Sequence, residues 1–381
     1  MSASQNDGPG FFVPADTIVD SGRVLRKPIK DWACQLLAAF RACLGKYPRL
    51  ETVEQACGAL NNAALLFVYA SKPEVATEIC HSHLHWIDGF RAALPEAELS
   101  VLAIQPWVNL GRLSRRSRDY DRALQYFLAL DPGGLQSARL PFWGLQTTIS
   151  GLVREAVEPI HIYETLRTHL QSGNLHRAID FANDLGKPLL PSSFMLRTEL
   201  LMHVLLRQGE AAHLVSLMKE MPWPEDQFGV LAKHFYTSVA LNAIGQASSC
   251  ANALSQMMPY VISSLSNPVA ESRDLRLAIE VCRLSQHLGL RELLLTMLQA
   301  TCAAVLRAGD VPFAHQLLQM SKQEPCFAVF PELTVVEEFV ADSGYTAFSR
   351  KPLRSEISEI LTELRSAISQ LISNHAIGLC A

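Results

Sequence analysis

Apolar residues recur along most of the chain with the spacing of amphipathic α-helices, and no segment carries a strand pattern. Helical segments begin near Asp31 and are separated by Pro, Gly or Ser-Lys-Pro breaks. The pattern predicts helices at about 31–45, 52–71, 73–93, 97–117, 119–130, 137–157, 159–172, 174–186, 192–208, 210–220, 226–244, 246–264, 270–288, 290–308, 310–322, 332–342 and 353–374. An all-α fold follows, in which the helix at 137–157 stands outside the pairs.

Three glycines mark a repeat. Gly173, Gly209 and Gly245 lie 36 residues apart, and each falls where one predicted helix ends and another begins. A period of this length is typical of helical repeat arrays, in which each helix pair buries its apolar face against neighbouring pairs. The spacing therefore predicts a stack of helix pairs.

Small or apolar residues follow each of these turns after five and after nine positions. Spacing by four places both residues on one helical face, where small side chains let two helices approach closely. The residues are Ala178 and Ala182, Leu214 and Met218, Cys250 and Leu254, and, after Gly309 and Asp310, Ala314 and Leu318.

One segment resembles a known repeat family. Trp107, Leu110 and Gly111, then Ala123 and Phe127, then Pro132, match the tetratricopeptide signature W-x2-L-G-x2-Y, A-x3-F, P. Ser114 stands where the family usually has Tyr, and Arg118 where Gly is common. The resemblance covers roughly residues 56–322 and implies a tetratricopeptide-like array with a groove that binds peptides or proteins.

Together these observations predict a right-handed α-solenoid of stacked antiparallel helix pairs. We expect a flexible N-terminal arm at 1–30, the repeat array at 31–322 and C-terminal capping helices at 323–381. The last helix carries one apolar stripe, formed by Ile357, Ile360, Leu361, Leu364, Ile368, Leu371 and Ile372. Such a stripe is typical of a helix that closes the end of a solenoid, with dimerisation or partner docking as the alternative.

The composition is apolar for a soluble protein, with 49% hydrophobic and 18% charged residues. Helices buried on more than one face account for part of this excess. Apolar surface kept for a partner or for a second copy of the chain accounts for the rest.

Charge and cysteine content restrict the partner and the compartment. The net charge of −4 disfavours general nucleic-acid binding. Nine cysteines form no C-x2-C pair, and the N-terminus lacks a signal-peptide pattern, so a cytoplasmic protein with reduced thiols is expected. The most apolar run, 293–306, is too short to span a bilayer.

A histidine cluster is the first candidate for chemistry. Glu78, His81, His85 and Asp88 share one face of a predicted helix. Histidines at i and i+4 can chelate a metal, so Glu78, His81 and His85 are candidate ligands for iron or zinc. Two further Glu-x-x-His pairs lie far along the array, which favours a solvated or interface histidine face over a shared metal site.

An arginine cluster in the best-matching repeat is the second candidate. Arg112, Arg115 and Arg116 share a helix face, and guanidinium groups bind carboxylates and phosphates well. The tetratricopeptide resemblance implies that such a patch holds an acidic peptide or a C-terminal carboxylate, with Asn109 supporting a contact to the peptide backbone. The alternative is that the arginines only solvate the helix end and complement its dipole.

No nucleotide-binding, nucleophile-elbow or zincin motif occurs in the chain. A protein- or peptide-binding scaffold or adaptor is therefore favoured over an enzyme, and no cofactor is expected. Two alternatives remain open at this stage: a metal-dependent enzyme or accessory protein that uses Glu78, His81 and His85, and a structural subunit of a larger complex.

Overall fold

The computed structural model describes residues 28–43, 50–130, 151–185, 191–220, 223, 227–267, 272–321, 330–346 and 352–378. Sixteen α-helices lie in these ranges, which contain no strand, so the all-α prediction is confirmed for them. The predicted N-terminal arm lies outside the described residues except for residues 28–30. Residues 137–150 of the predicted extra helix lie outside them as well.

The helices are named in chain order. The first eight are α1 (Ile29–Cys43), α2 (Leu50–Tyr69), α3 (Pro73–Asp88), α4 (Glu96–Arg116), α5 (Tyr120–Leu128), α6 (Gly151–Ser172), α7 (Leu175–Asp184) and α8 (Pro191–Gln208). The remaining eight are α9 (Ala211–Glu220), α10 (Gln227–Ala243), α11 (Ala247–Leu265), α12 (Ser272–His287), α13 (Arg291–Ala308), α14 (Val311–Ser321), α15 (Pro331–Asp342) and α16 (Ser355–Gly378).

The predicted break at Pro159 is wrong, because α6 continues through this residue. Proline removes one helical hydrogen bond and costs about 3 kcal/mol in a helix interior. Burial of Ile162 and Leu166 in the following turns favours a continuous helix and offsets that cost. Pro106 in α4 and Pro259 in α11 also lie inside helices.

Seven helices end in the same kind of turn. A residue with positive φ is followed by one whose N–H donates to the carbonyl five residues earlier, as in the Schellman motif. The positive-φ residues are Ser71, Arg118, Gly173, Gly209, Gly245, Gly289 and Gly309. The prediction that the three glycines 36 residues apart separate helices is therefore confirmed.

Arg118 adopts φ +65° in this turn, a conformation that side chains with a Cβ disfavour. We expect Arg118→Gly to raise the free energy of unfolding by up to about 1 kcal/mol. Gly173→Ala is the reverse control, since Gly173 has φ +78° with open space around its Cβ position, and it should lower stability by about 1 kcal/mol. Urea titrations followed by circular dichroism measure both. Equal effects of the two changes would contradict backbone strain as the cause.

Helices α4 and α5 pack closely through the signature residues. A Cβ placed on Gly111 would lie 2.5 Å from the Phe127 ring, so only glycine fits at this crossing. The Trp107 indole N–H donates to the Tyr126 carbonyl at 2.7 Å, and the Trp107 and Tyr126 rings meet edge to face. Ala123 and Phe127 are fully buried.

This crossing predicts opposite effects for the same substitution at two helical glycines. Gly111→Ala should lower the free energy of unfolding by about 1–3 kcal/mol, because the new methyl group overlaps Phe127. Gly58→Ala should raise it by up to about 1 kcal/mol, because Gly58 is an exposed position in α2 with nothing near its Cβ site. Chemical denaturation of the two single variants tests the pair, and a stabilising Gly111→Ala would contradict the observed packing.

The helices form two compact units. The terminal unit contains residues 28–197 and 343–378, and the middle unit contains Thr198–Asp342. Within each unit, most helices contact the next helix in the chain. Contacts two places along also occur, such as α2 with α4 and α4 with α6 in the terminal unit, and α10 with α12 and α11 with α13 in the middle unit. The boundaries predicted at residues 31 and 322 stay a prediction.

The last helix lies on the first ones. Helix α16 packs against α1 and α3, with Leu361, Leu364 and Leu371 buried. Three ion pairs connect it to these helices: Lys30 with Glu356, Arg41 with Glu363, and Glu78 with Arg365. The amphipathic stripe thus covers helices near the opposite end of the sequence.

A short segment before α16, residues 343–346, also packs against the first helices of the chain. The Ile29 N–H donates to the Ser343 carbonyl at 3.0 Å, and the Tyr69 and Tyr345 rings meet edge to face at 5.3 Å. Thr346 contacts the turn that follows α2. The terminal unit is therefore built from both ends of the chain.

In the part of the chain that the structure describes, no helix combines the length and apolar character needed to cross a membrane.

Candidate functional site

One face of α4 combines apolar, amide and guanidinium groups. Val101, Gln105, Asn109, Arg112 and Arg116 recur every three or four residues and lie within about 80° of arc. Val101 is 49% exposed, Gln105 and Arg112 are partly exposed, and Arg116 is exposed. We call these five residues the α4 face.

Amide side chains continue this face onto α2. Asn109 is fully buried, and its Nδ2 donates to Asn61 Oδ1 at 3.4 Å. Gln105 Nε2 donates to Asn109 Oδ1 at 3.1 Å. Asn61 and Gln105 are partly exposed, so their amides are accessible from solvent, whereas the buried Asn109 holds them in place.

On its other side, α4 is connected to α6 through arginine side chains. The buried Glu164 carboxylate accepts from Arg112 Nε at 2.5 Å and from Arg115 Nη1. Arg115 is itself buried, and its guanidinium carbon lies 5.6 Å from the Phe127 ring centroid. Arg167 Nη1 donates to the Tyr163 hydroxyl at 2.9 Å. The two α4 arginines thus connect the pair α4 and α5 to the next helix, α6.

The electrostatics of Glu164 follow from these contacts. Burial by itself would raise the pKa of Glu164, but Arg112, Arg115 and Arg167 together outweigh burial and hold that pKa at about 2. The carboxylate is therefore ionised throughout the physiological range. It supplies the anionic partner that two buried or half-buried guanidinium groups require.

The structure separates the four predicted binding residues into two classes. Arg116 and Arg112 reach the surface, whereas Asn109 and Arg115 lie inside and hold their neighbours. Glu164 was missed in the sequence because its partners lie about 50 residues earlier in the chain.

The predicted metal ligands do not come together in the described residues. Glu78 pairs with Arg365 at 2.6 Å, and His81 and His85 are exposed on α3. Partial desolvation by the surrounding side chains, together with the neighbouring Arg122, lowers the pKa of His81 although its ring reaches the surface. Within the described ranges, no group of three or more His, Cys, Asp or Glu side chains is placed to hold a metal ion.

His83, between those two histidines, has the opposite environment. It is fully buried, and neither ring nitrogen has a hydrogen-bond partner among the described residues. Its ring lies beside Trp86, with 6.4 Å between the ring centroids. Burial lowers the pKa of His83 to about 3, so the side chain is neutral in the folded protein.

This burial predicts a pH-dependent cost. The unfolded chain binds a proton at His83 below about pH 6.5, whereas the folded one does so only near pH 3. The free energy of unfolding should therefore decrease as the pH is lowered from 6.5 to 3. The contribution of His83 to this decrease is about 1.4 kcal/mol per pH unit. We expect His83→Leu to stabilise the protein by about 1–3 kcal/mol at pH 7 and to flatten the decline between pH 7 and 5. His85→Leu, at an exposed position, is the control in urea titrations. A decline unchanged in His83→Leu would contradict this origin.

Another buried carboxyl group, Glu280, lies in the middle unit. Burial raises the pKa of Glu280 to about 8, although Arg283 Nη1 donates to its Oε1 at 2.8 Å and favours ionisation. One arginine thus fails to offset burial at Glu280, whereas three do so at Glu164. The arginines of α4 and α6 therefore stabilise a buried carboxylate, whereas the single arginine beside Glu280 does not.

The seven cysteines within the described ranges are free thiols, and all except Cys34 are buried. Burial raises the pKa of Cys57, Cys80, Cys282 and Cys302 to about 12. These thiols are therefore protonated at neutral pH and poor nucleophiles.

No protein-family model, curated protein or solved structure matches the chain. The tetratricopeptide resemblance accordingly depends on the residues of this chain alone.

Proposed function

We propose that this chain is a tetratricopeptide-like helical-repeat protein that binds a peptide segment of a partner protein on the α4 face. The contacts between neighbouring and next-but-one helices support a right-handed α-solenoid arrangement within each unit. The close crossing at Gly111 and Phe127 and the seven similar turns support the family resemblance. In this proposal the protein acts as a cytoplasmic scaffold or adaptor and does not bind nucleic acid.

The observation that carries the proposal is the mixture of groups on the α4 face. An extended peptide offers backbone N–H and C=O groups as well as side chains, and amides such as Gln105 and Asn61 can pair with both. Val101 offers an apolar contact beside them, being 49% exposed. Arg116 and the outer part of Arg112 offer donors for a carbonyl or carboxylate.

The internal contacts support a rigid binding surface. Asn109 and Glu164 fix the amide and guanidinium groups before any ligand arrives. Groups already ordered in the free protein lose less conformational freedom on binding, which favours affinity. We therefore assign Asn109 and Arg115 to support, and Gln105, Arg112 and Arg116 to direct contact.

Selection from a displayed peptide library, followed by fluorescence anisotropy with the selected peptides, tests the proposal. Two apolar residues give a matched pair of variants, because Val101 on α4 is 49% exposed and Leu128 on α5 is 47% exposed. We expect Val101→Glu to weaken peptide binding at least about tenfold, since a buried unpaired charge costs more than 1.4 kcal/mol. Leu128→Glu should leave the affinity within about twofold.

The outcomes that contradict the proposal are distinct. Failure to select any peptide with a dissociation constant below about 100 µM would remove peptide binding as the function. Selected peptides that bind Val101→Glu normally and lose affinity for Leu128→Glu would place the ligand on α5 instead.

A further inference from the structure

Helix α15 has only acidic residues among its charged ones. It contacts α13 and α14 and buries Leu333, Val336 and Val340. Its sequence contains no Lys, Arg or His. The acidic residues are Glu332, Glu337, Glu338 and Asp342.

One exposed stripe of this helix combines an apolar side chain with two carboxylates. Val335, Glu338 and Asp342 recur every three or four residues and therefore share one side of α15. Val335 is 50% exposed, and Glu338 and Asp342 are exposed as well. In the part of the chain that the structure describes, neither carboxylate pairs with a cation. We call these three residues the α15 face.

The N-terminal arm leaves the described structure at the end of this helix. The N–H of Ile29, the first residue of α1, donates to the Ser343 carbonyl at 3.0 Å. Ser343 directly follows Asp342, the last residue of α15. A Cβ placed on Gly344 would lie 2.9 Å from Ile29 Cγ2, so the two segments are in close contact. The residues that precede Ile29 therefore start beside the C-terminal end of α15.

The last part of the arm has the complementary composition. Residues 23–27 read Arg-Val-Leu-Arg-Lys, with three basic residues and no acidic one, whereas residues 1–22 contain no Lys or Arg. Lys27 precedes Pro28, and the residue before a proline favours an extended conformation. In an extended chain, alternate residues point to the same side, so Arg23, Leu25 and Lys27 form one edge with an apolar centre.

The spacing of this edge matches that of the α15 face. An extended chain places Lys27 about 7 Å and Leu25 about 13 Å before Ile29. Along α15, Glu338 lies about 8 Å and Val335 about 12 Å before Ser343. A basic residue and then an apolar one thus face an acidic residue and then an apolar one, at similar distances from the hydrogen bond between Ile29 and Ser343.

We propose that residues 23–27 of the N-terminal arm bind the α15 face of the same chain, with Leu25 on Val335 and Lys27 beside Glu338. The arm runs from Ile29 back along α15 toward the start of that helix. It covers the apolar surface of Val335 and supplies cations to a helix that has none. The docked arm thereby also excludes basic segments of other proteins from this face.

The contact is weak by itself and depends on the covalent connection. Exposed ion pairs contribute little each, and one apolar contact adds a limited area. The short connection from Leu25 to Ile29 holds the segment at an effective concentration of about millimolar or more, which allows such a weak contact to form. Docked and undocked arms therefore coexist in comparable amounts, and added salt shifts them toward the undocked form.

Photo-crosslinking of the full chain tests the proposal directly. Leu25 is replaced by p-benzoylphenylalanine, which keeps an apolar side chain at this position and reacts on illumination with C–H groups in contact with it. Peptide mapping by mass spectrometry should locate the crosslink within residues 331–342. We expect its yield to fall at least about twofold between 50 and 500 mM NaCl.

A charge exchange tests the origin of the contact. Glu338→Lys should lower the crosslink yield at least about twofold, because it replaces attraction to Lys27 by repulsion. Lys27→Glu added to Glu338→Lys should restore the yield, since the pair then has opposite charges again. Glu359→Lys, at an exposed position of α16, is the matched control and should leave the yield as in wild type.

Four outcomes overturn the proposal. Crosslinks confined to other parts of the chain place the arm elsewhere, and the absence of any crosslink shows that the arm does not dock. A yield that Glu338→Lys leaves unchanged, although circular dichroism shows a folded variant, removes charge complementarity as the cause. In a mixture of 15N-labelled and unlabelled chains, crosslinks that join a labelled to an unlabelled peptide would assign the face to a second copy of the chain.

Discussion

Leu364→Asp should lower the free energy of unfolding of the terminal unit by at least about 4 kcal/mol. Leu364 lies in α16 with 0% of its surface exposed, in the stripe that packs on α1 and α3. The substitution removes a well-packed apolar side chain and places a carboxylate where no cation is available in the stripe. Ser366→Asp, two residues away on the exposed side of α16, is the control and should change stability by less than about 0.5 kcal/mol.

The location of the loss is as informative as its size. Because α16 lies on α1 and α3, the variant should lose amide hydrogen-exchange protection in residues 29–43 and 73–88, about 300 positions earlier in the chain. A helix that only covered the preceding helices of the array would lose protection in α14 and α15 instead. Hydrogen exchange resolved by mass spectrometry distinguishes these patterns, and loss confined to residues 311–342 would contradict the observed packing.

The sequence was most informative where structure is set locally. A glycine that adopts positive φ ends a helix whatever lies around it, so Gly173, Gly209 and Gly245 located three turns correctly. Gly111 and Phe127, two residues of the segment that resembles the tetratricopeptide signature, meet at a close helix crossing. These signals depend on backbone conformation and on residues fewer than 20 positions apart.

The sequence was least informative where structure depends on distant partners. An amphipathic stripe shows that α16 buries one face, but it carries no information on which helices receive that face. Pro159 was a local breaking signal that burial of the same helix overrode. The arginines of α4 were expected to bind an acidic ligand, which stays a prediction, and the structure pairs Arg112 and Arg115 with Glu164 of the same chain.

The second large effect on stability is expected at Glu164, which pairs with Arg112 and Arg115. Glu164→Ala should destabilise the terminal unit by about 3–5 kcal/mol, because it leaves the buried Arg115 and the half-buried Arg112 without their shared carboxylate. The triple variant Arg112→Met, Arg115→Met, Glu164→Leu removes the carboxylate and the two arginines paired with it, and it retains similar volumes. It should unfold within about 2 kcal/mol of wild type, since apolar replacement of a whole buried ion cluster is often neutral or stabilising.

The pH dependence of the same variants separates charge from packing. The pKa of Glu164 is about 2 in the folded protein and near 4.5 when unperturbed, so its contribution is complete above about pH 5 and is lost as the pH falls toward 2. Between pH 7 and pH 3 that loss amounts to about 2 kcal/mol in wild type, and it is absent from the triple variant. Urea titrations at pH 7 and pH 3 measure the difference. If the triple variant loses as much stability on acidification as wild type does, other ionisable groups such as His83 cause the acid sensitivity, and Glu164 does not contribute to it.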